Sequence, residues 1–285
     1  MRVGVIGHKG YEELPGILAT LFRVASTLGI TLHFERGVQE GVRGGDLLQS
    51  ASDIDALVTL GGDGTLLRGA RLLDGARVPI LGVNLGRLGF LTTCGSDQLE
   101  EALAALASGN YITEERMALS ASAVDERGAT RQQWRALNDF VLHKGGFARV
   151  VRLTIAIDGE SIGVYAADGI IISSPTGSTA YSLSAGGPVV VPTVESLLIT
   201  PISAHTLAVR PLVVGSEAEI TLGTEQSTEE LLVTVDGQVG TSIVRGEKLV
   251  VRRSENPVLI VRFPDVSFFE RMRVKLGWGG LPERD

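Results

Sequence analysis

The run Ala56-Leu57-Val58-Thr59-Leu60-Gly61-Gly62-Asp63-Gly64-Thr65-Leu66-Leu67-Arg68-Gly69-Ala70-Arg71-Leu72-Leu73 passes from an apolar stretch through a glycine turn into a helical pattern. Strand, glycine turn, helix is the order it predicts. Three glycines around one carboxylate let the backbone come close to a ligand, where amide N–H groups and the following helix N-terminus attract phosphate. A carboxylate placed there repels phosphate unless it binds a cation or takes a proton from an attacking hydroxyl. Asp63 is therefore a candidate for chemistry. The competing reading is that Asp63 caps the helix that begins near Thr65, since Asp and Thr are both good N-cap residues.

Working outward, Val78-Pro79-Ile80-Leu81-Gly82-Val83 predicts another strand, followed by a second glycine loop, Asn84-Leu85-Gly86-Arg87-Leu88-Gly89-Phe90-Leu91. A helix over 97–107 follows, with Leu99, Ala102, Leu103 and Leu106 on one side. Upstream, residues 2–7 predict a strand, 12–28 a helix with apolar residues from Leu14 to Leu28 at helical spacing, and 30–34 a strand; 35–52 reads as a loop with one helical turn. Alternating strands and helices with short connections give a mostly parallel sheet covered on both faces. Ligands of such sheets sit beyond the carboxyl ends of the strands, where both glycine loops fall, so these loops are expected to line one cleft.

From about Tyr111 the pattern changes to short alternating runs such as Leu119-Ser120-Ala121-Ser122-Ala123-Val124 and Val151-Arg152-Leu153-Thr154-Ile155-Ala156-Ile157, which read as β structure. Asp158-Gly159 and Asp236-Gly237 lie between such runs and predict hairpin turns. The expected fold is thus an α/β Rossmann-like domain over 1–110 carrying the Gly-Gly-Asp-Gly loop, then a β-rich domain over 111–257. Residues 267–278 form a short helix ended by Gly277, whose apolar residues need burial somewhere.

A chain of 285 residues is long enough for two domains with ample core. A net charge of −7 gives no global attraction for nucleic acid. The single cysteine, Cys94, rules out an intramolecular disulfide framework and a multi-cysteine metal site. No apolar run approaches the ~20 residues that span a bilayer, and the N-terminus opens directly on a strand. A soluble, cytoplasmic protein with no membrane or nucleic-acid partner is expected.

A second dense stretch runs from Asp168 through Ile170-Ile171-Ile172 to Ser173-Ser174-Pro175-Thr176-Gly177-Ser178-Thr179-Ala180-Tyr181-Ser182-Leu183-Ser184-Ala185-Gly186-Gly187-Pro188. Hydroxyls and exposed amides at this density suit a polar small molecule such as a nucleotide, with Tyr181 offering a ring; hydroxyl caps of a helix start would explain part of it. Asn138-Asp139 beside an apolar strand offers a donor, an acceptor and a carboxylate able to take two ribose hydroxyls, or else an Asx turn. His8, His33 and His143 have no metal-site spacing, and His205 among apolar residues reads as structural. No Gly-x-x-x-x-Gly-Lys-Ser/Thr motif is present.

In order along the chain, Gly61-Gly62-Asp63-Gly64-Thr65, residues 84–91, Leu137-Asn138-Asp139, residues 168–188, residues 201–211 and Asp236-Gly237-Gln238 together resemble the NAD kinase family. The first motif is shared with lipid kinases and, in related form, phosphofructokinases; Ser174-Pro175-Thr176-Gly177-Ser178-Thr179-Ala180-Tyr181 makes the resemblance specific. It implies transfer of the ATP γ-phosphoryl to the 2′-hydroxyl of the adenosine ribose of NAD, giving NADP, with a divalent metal cation, expected as Mg²⁺. It also implies a C-terminal segment, 258–285, that returns to the first domain, and a homodimer or homotetramer. Carried over by position, Asp63 is the proton acceptor, Gly64 meets the dinucleotide and Arg68 lies near phosphate. Asn138 and Asp139 hold ribose hydroxyls, and Thr179, Ala180, Tyr181, Ser182, Leu183 and Ser184 border the adenine half. Arg149, Asp168 and Gln238 match further contact positions, and Phe90 walls the pocket. Asp139 stands where many relatives have Glu. The alternatives are a lipid or sugar kinase of the same superfamily and a non-catalytic NAD(P)-binding sensor, which could dispense with Asp63.

Overall fold

Val3, Val5 and Ile6, Leu57, Val58 and Leu60, and Ile80, Leu81 and Val83 have no exposed side-chain surface, as expected of parallel strands covered on both faces. The computed structural model describes residues 1–41, 44–86, 89–145, 151–204, 209–224, 231–244, 246–263 and 267–278. The chain divides into two units, Met1–Glu115 with Val258–Asp285, and Arg116–Pro257.

The first unit opens with β1 (Arg2–Gly7), α1 (Leu14–Leu28), β2 (Thr31–Phe34), α2 (Arg36–Gln39) and β3 (Asp46–Leu47). It continues through β4 (Ala56–Gly61), α3 (Asp63–Leu73), β5 (Ile80–Asn84), β6 (Cys94–Gly95), α4 (Leu99–Ser108) and β7 (Ile112–Arg116). The helical spacing read from the sequence puts Leu14, Leu18, Leu21, Val24 and Ala25 of α1 and Leu99, Ala102, Leu103 and Leu106 of α4 into one apolar core. Gly29 stops α1 in the left-handed region, φ 66°, with its N–H on the Ala25 carbonyl, a conformation glycine adopts without penalty. The stretch read as a loop over 35–52 holds α2 and β3, elements too short to show a period.

The second unit is built from β8 (Leu119–Val124), β9 (Thr130–Ala136), β10 (Asp139–Lys144), β11 (Val151–Ile157), β12 (Glu160–Ala167), β13 (Gly169–Ser173) and the short helix α5 (Tyr181–Ser184). After α5 come β14 (Ser196–Ile202), β15 (Leu212–Gly215), β16 (Ile220–Thr224), β17 (Leu231–Val235), β18 (Val239–Ile243) and β19 (Lys248–Arg253). Two antiparallel sheets result, in the orders β15-β14-β13-β10-β17-β18 and β12-β11-β16-β19-β8-β9. Their inward residues share one core that includes Leu119, Leu153, Leu222 and Leu249 from one sheet and Leu142, Ile170, Leu197 and Val233 from the other. Both Asp-Gly pairs turn hairpins with positive φ at each residue, 51° and 82° at Asp158-Gly159, 49° and 64° at Asp236-Gly237; the first is a two-residue turn with the twist such hairpins prefer, and the second continues through Gln238 before Val239 pairs with Val235.

Val258–Arg262 forms β20, and α6 follows at Phe268–Leu276. In the first unit's sheet, of order β3-β2-β1-β4-β5-β20-β7 with β6 on β5, β20 lies between β5 and β7. Since β7 belongs to this sheet, the first unit runs to Glu115 rather than 110. Gly277 ends α6 at φ 66°. The expected burial of the tail's apolar residues is corrected: α6 buries Met272 together with Arg271, while Phe269, Val274 and Trp278 are more than half exposed. The face turned inward is chosen by Arg271, which seeks backbone carbonyls.

Candidate functional site: two constellations

In the first unit the winding reverses between β1 and β4, because β2 and β3 extend the sheet on one side and β5 on the other. Register pairs Gly7 with Leu60 and Gly61 with Asn84, so the carboxyl ends of β1, β4 and β5 lie level. Such a switch point is where open α/β sheets take ligands, and the Gly-Gly-Asp-Gly turn leaves β4 there. A Cβ on Gly61 would lie 2.2 Å from Thr65 Oγ1, which excludes any larger residue from this turn. Gly62 caps α3, and Asp63 is its first residue.

The hydrogen bonds of Asp63 answer the capping alternative. Its carboxylate reaches across to the second glycine loop, where Oδ2 accepts from Phe90 N–H at 2.8 Å and Oδ1 from Leu91 N–H at 2.9 Å and Thr92 N–H at 3.3 Å. Gly89 makes this approach feasible, since a Cβ there would lie 1.8 Å from Asp63 Oδ1. Arg68, expected near phosphate, grips Glu35, with Nη2 on Oε1 at 2.9 Å and Nη1 on Oε2, while Nη2 also donates to the Gly7 carbonyl at 2.8 Å. Glu35 in turn accepts from Gly7 N–H at 3.0 Å. Arg68 is thus fixed at the carboxyl end of β1, beside the switch point. Gly64 is exposed. The Phe90 ring lies 6.2 Å from that of Phe268 and under Lys275 Nζ at 5.5 Å, so α6 holds the residue expected to wall the pocket.

The second unit carries a cavity of about 640 Å³, lined among others by Asn138, Asp139, His143, Lys144, Asp168, Ala180, Tyr181, Thr234 and Asp236. At its floor Asp236 Oδ1 accepts from Asn138 N–H at 2.7 Å and Asp139 N–H at 3.2 Å, and Oδ2 from Leu137 N–H at 3.2 Å. The turn residue is also the anchor of the Asn-Asp pair. Asp139, 3% exposed, has its pKa pushed up to about 7, first by burial and then by the neighbouring Asp236 charge. At the rim Lys144 Nζ pairs with Asp168 at 2.7 Å. His143 is within hydrogen-bond distance of Thr234 Oγ1 at 3.0 Å and of the Lys144 carbonyl at 3.1 Å. Neither His143 nor Lys144 stood out in the sequence; their positions on β10, downstream of Asp139, were the available signal.

The hydroxyl-rich stretch is mostly turned inward. Ser174 Oγ donates to the Leu137 carbonyl at 2.5 Å and accepts from Gly177 N–H, Ser178 Oγ donates to the Pro175 carbonyl at 2.7 Å, and Thr179 Oγ1 donates to the Thr176 carbonyl. Ser182 is fully buried with its hydroxyl 2.9 Å from Thr200 Oγ1, so it meets the cavity through backbone at most. A Cβ on Gly177 would stand 2.1 Å from the Asn138 carbonyl oxygen. These hydroxyls shape the loop that presents Ala180 and the half-exposed Tyr181 to the cavity. Thr179, Leu183 and Ser184 adjoin them in sequence without lining it, and Gln238 is exposed in the β17–β18 turn. Arg149 and His205 lie outside the described residues.

Among the described residues no group of three or more His, Cys, Asp or Glu side chains is placed to hold a metal ion. Mg²⁺ keeps several waters and needs only one or two carboxylates when phosphates complete its shell. A cation carried on nucleotide phosphates asks no more of a protein than that.

Comparison with known proteins gives the family. The model of the ATP-NAD kinase N-terminal domain matches residues 42–111, and that of the C-terminal domain matches residues 137–263. The chain belongs to the NAD kinase family. The NAD kinase of Gemmatimonas aurantiaca is 57% identical over 285 residues, covering 100% of this chain and 99% of that protein. The NAD kinase of Geobacter metallireducens is 45% identical over 252 residues, 88% of this chain and 87% of its own. Among solved structures, yeast NADH kinase complexed with NADH superposes with a TM-score of 0.87 at 26% identity, covering 100% of this chain and 90% of that one. An NAD kinase from Archaeoglobus fulgidus in complex with ATP gives 0.76 at 25% identity, covering 97% and 98%. The enzyme is a phosphotransferase.

Proposed function

We propose that the enzyme moves the γ-phosphoryl of ATP to the 2′-hydroxyl of the adenosine ribose of NAD, with Asp63 as proton acceptor. The bond between γ-phosphorus and the ADP oxygen breaks, the bond from 2′-oxygen to phosphorus forms, and the hydroxyl proton passes to a carboxylate oxygen of Asp63. The observation that carries this reading is the carboxylate of Asp63 at the switch point, on the first residue of α3, fixed by the amides of Phe90 and Leu91. A loose phosphoryl-transfer transition state asks for alignment and charge neutralisation more than covalent help. A divalent cation, expected as Mg²⁺, neutralises charge on the transferring phosphates when bound.

In the second unit, Asp139 and Asn138 receive ribose hydroxyls, and Tyr181 with Ala180 borders the adenine half. Gly64 meets the dinucleotide, and Arg68, ion-paired with Glu35, stands near phosphate at the end of β1. Asp168, Arg149 and Gln238 are further contacts. The segment 258–285 completes the first domain, a reading supported by the place of β20 in its sheet. We also assign a cytoplasmic homodimer or homotetramer; no helix among the described residues is long and apolar enough to cross a membrane.

The test is purified protein with ATP, Mg²⁺ and NAD, scored for NADP beside diacylglycerol and fructose 6-phosphate as acceptors. NADP alone should form. Asp63→Asn should keep dinucleotide affinity and lose on the order of 10²–10⁴-fold in turnover, the usual range for a general base; near-normal NADP formation by that variant would refute the acceptor role.

A further inference from the structure

The loop over residues 89–92 is held from two opposite sides. Its amides at Phe90, Leu91 and Thr92 donate to Asp63. On the other side Arg271 of α6, 4% exposed, brings Nη1 to the carbonyls of Gly89 and Phe90 at 3.2 Å each and to that of Thr92. Arg262 at the end of β20 brings Nη1 to the Leu91 carbonyl at 2.8 Å and the Thr92 carbonyl at 3.3 Å, and Nη2 to that of Phe90 at 3.4 Å, while Nε is tied to Glu114 at 2.6 Å.

Three of these four carbonyls correspond to the three amides. A peptide unit is planar and trans, so fixing the carbonyl of one residue fixes the direction of the next residue's N–H. The carbonyls of Gly89, Phe90 and Leu91 belong to the same peptide units as the three amides that meet Asp63. Each of those units therefore lies between a guanidinium and the carboxylate. A buried arginine is a poor way to fill space, since desolvating a charge is unfavourable unless its donors are satisfied; five rigid donors are, however, well suited to fixing several carbonyls at once.

We infer that Arg271 and Arg262 are positioning residues for the reaction, setting the Asp63 carboxylate by fixing the peptide planes that bind it. A carboxylate has about four lone-pair positions; among the described residues the loop takes two on Oδ1 and one on Oδ2, and the remaining one on Oδ2 would receive the 2′-hydroxyl proton. The inference rests on the acceptor reading of Asp63.

The experiment is steady-state kinetics of Arg271→Met, Arg271→Lys and Arg262→Lys, each made in the parent and in the Asp63→Asn background, with thermal midpoints and calorimetric NAD affinity for all. Arg271→Met should lower kcat roughly 10- to 100-fold, the scale of an ångström's misplacement, with KM for NAD and ATP unchanged. Arg271→Lys should recover part of the loss, because an ammonium keeps the charge but satisfies fewer carbonyls. In the Asp63→Asn background the same substitutions should change kcat by less than about twofold, the limit expected of groups acting through one another. Should Arg271→Met not fold, Arg262→Lys carries the test. Equal losses in both backgrounds, or a lower thermal midpoint with parental kcat, overturn the positioning role and leave the acceptor role standing. Near-parental turnover of Asp63→Asn alone removes the acceptor role and this inference with it.

Discussion

Asp139 sits with its carboxyl in the protein interior beside a second carboxyl, Asp236, and keeps its proton to about pH 7 where an exposed aspartate has lost it near 3.8. The other titratable side chains lining the same cavity are His143, Tyr181 and Lys144, the last paired to Asp168. Between those two pH values the folded chain binds a proton that the unfolded chain has released, so stability contributed at this position falls as pH rises and is fully lost above about 7. Asp139→Asn keeps the shape and removes the titration. Melts of parent and variant from about pH 5 to about pH 8 should show the variant gaining on the parent up to about pH 7 and the gap levelling off above it; a gap that does not change with pH would mean that Asp139 is not the group responsible. Ribose hydroxyls donate better to the ionised form, so a bound dinucleotide should draw this proton out and flatten the same dependence.

At the scale of elements, two glycines in loops predict opposite outcomes. A Cβ on Gly89 would meet the end of the Asp63 side chain, 1.8 Å from Oδ1 and 2.4 Å from Cγ. That side chain can swing away, so Gly89→Ala should keep the fold and lose on the order of 10²-fold in kcat through misplacement. A Cβ on Gly177 would meet backbone, 2.1 Å from the Asn138 oxygen and 2.5 Å from its carbonyl carbon. That backbone is held between β9 and β10, with Asn138 N–H on Asp236 and its carbonyl taking Ser174 N–H, so Gly177→Ala should lower stability by ~1–3 kcal/mol, the usual effect of overpacking, read as a lower thermal midpoint. Parental kcat in the first variant, or a parental midpoint in the second, would contradict these assignments. The sequence made much of this legible: the strand-turn-helix around Asp63, both Asp-Gly hairpins and the helix stop at Gly277 follow from local backbone preference. The Asn138-Asp139 pair was legible as polar groups beside an apolar strand, and both line the cavity. Arg262, Arg271, Glu35 and Asp236 were not, because each acts on residues 28 to 182 positions away, and nothing local distinguishes an arginine that fixes carbonyls from one in solvent. The inward turn of Ser174, Ser178 and Ser182 was hidden for the same reason, since a hydroxyl that satisfies backbone and one that meets a ligand look alike in a string of residues.

At the scale of the whole chain, the two units differ in how their sheets are sewn together. Every strand of the second unit lies within Arg116–Pro257, and its ends are held side by side: β8 pairs with β19 with Leu119 opposite Arg253, and Ser254 N–H donates to the Ala118 carbonyl at 2.8 Å. A contiguous segment with its own core and adjacent ends has what independent folding requires. In the first unit, β20 stands between β5 and β7 and contributes Ile260 and Val261, both fully buried. Met1–Glu115 alone would leave the edge of β5 unpaired except where β6 meets Val83 and Asn84, a state prone to association. Expressed separately, Arg116–Pro257 should therefore melt cooperatively and show dispersed amide resonances. Met1–Glu115 should do so only when Val258–Asp285 is joined to it through a short flexible linker. A cooperative melt of Met1–Glu115 by itself, at the temperature of the intact chain, would show that β20 is dispensable to that sheet. It would also weaken the positioning role of Arg262 and Arg271, because both reach the Asp63 loop from the segment that such a fragment lacks.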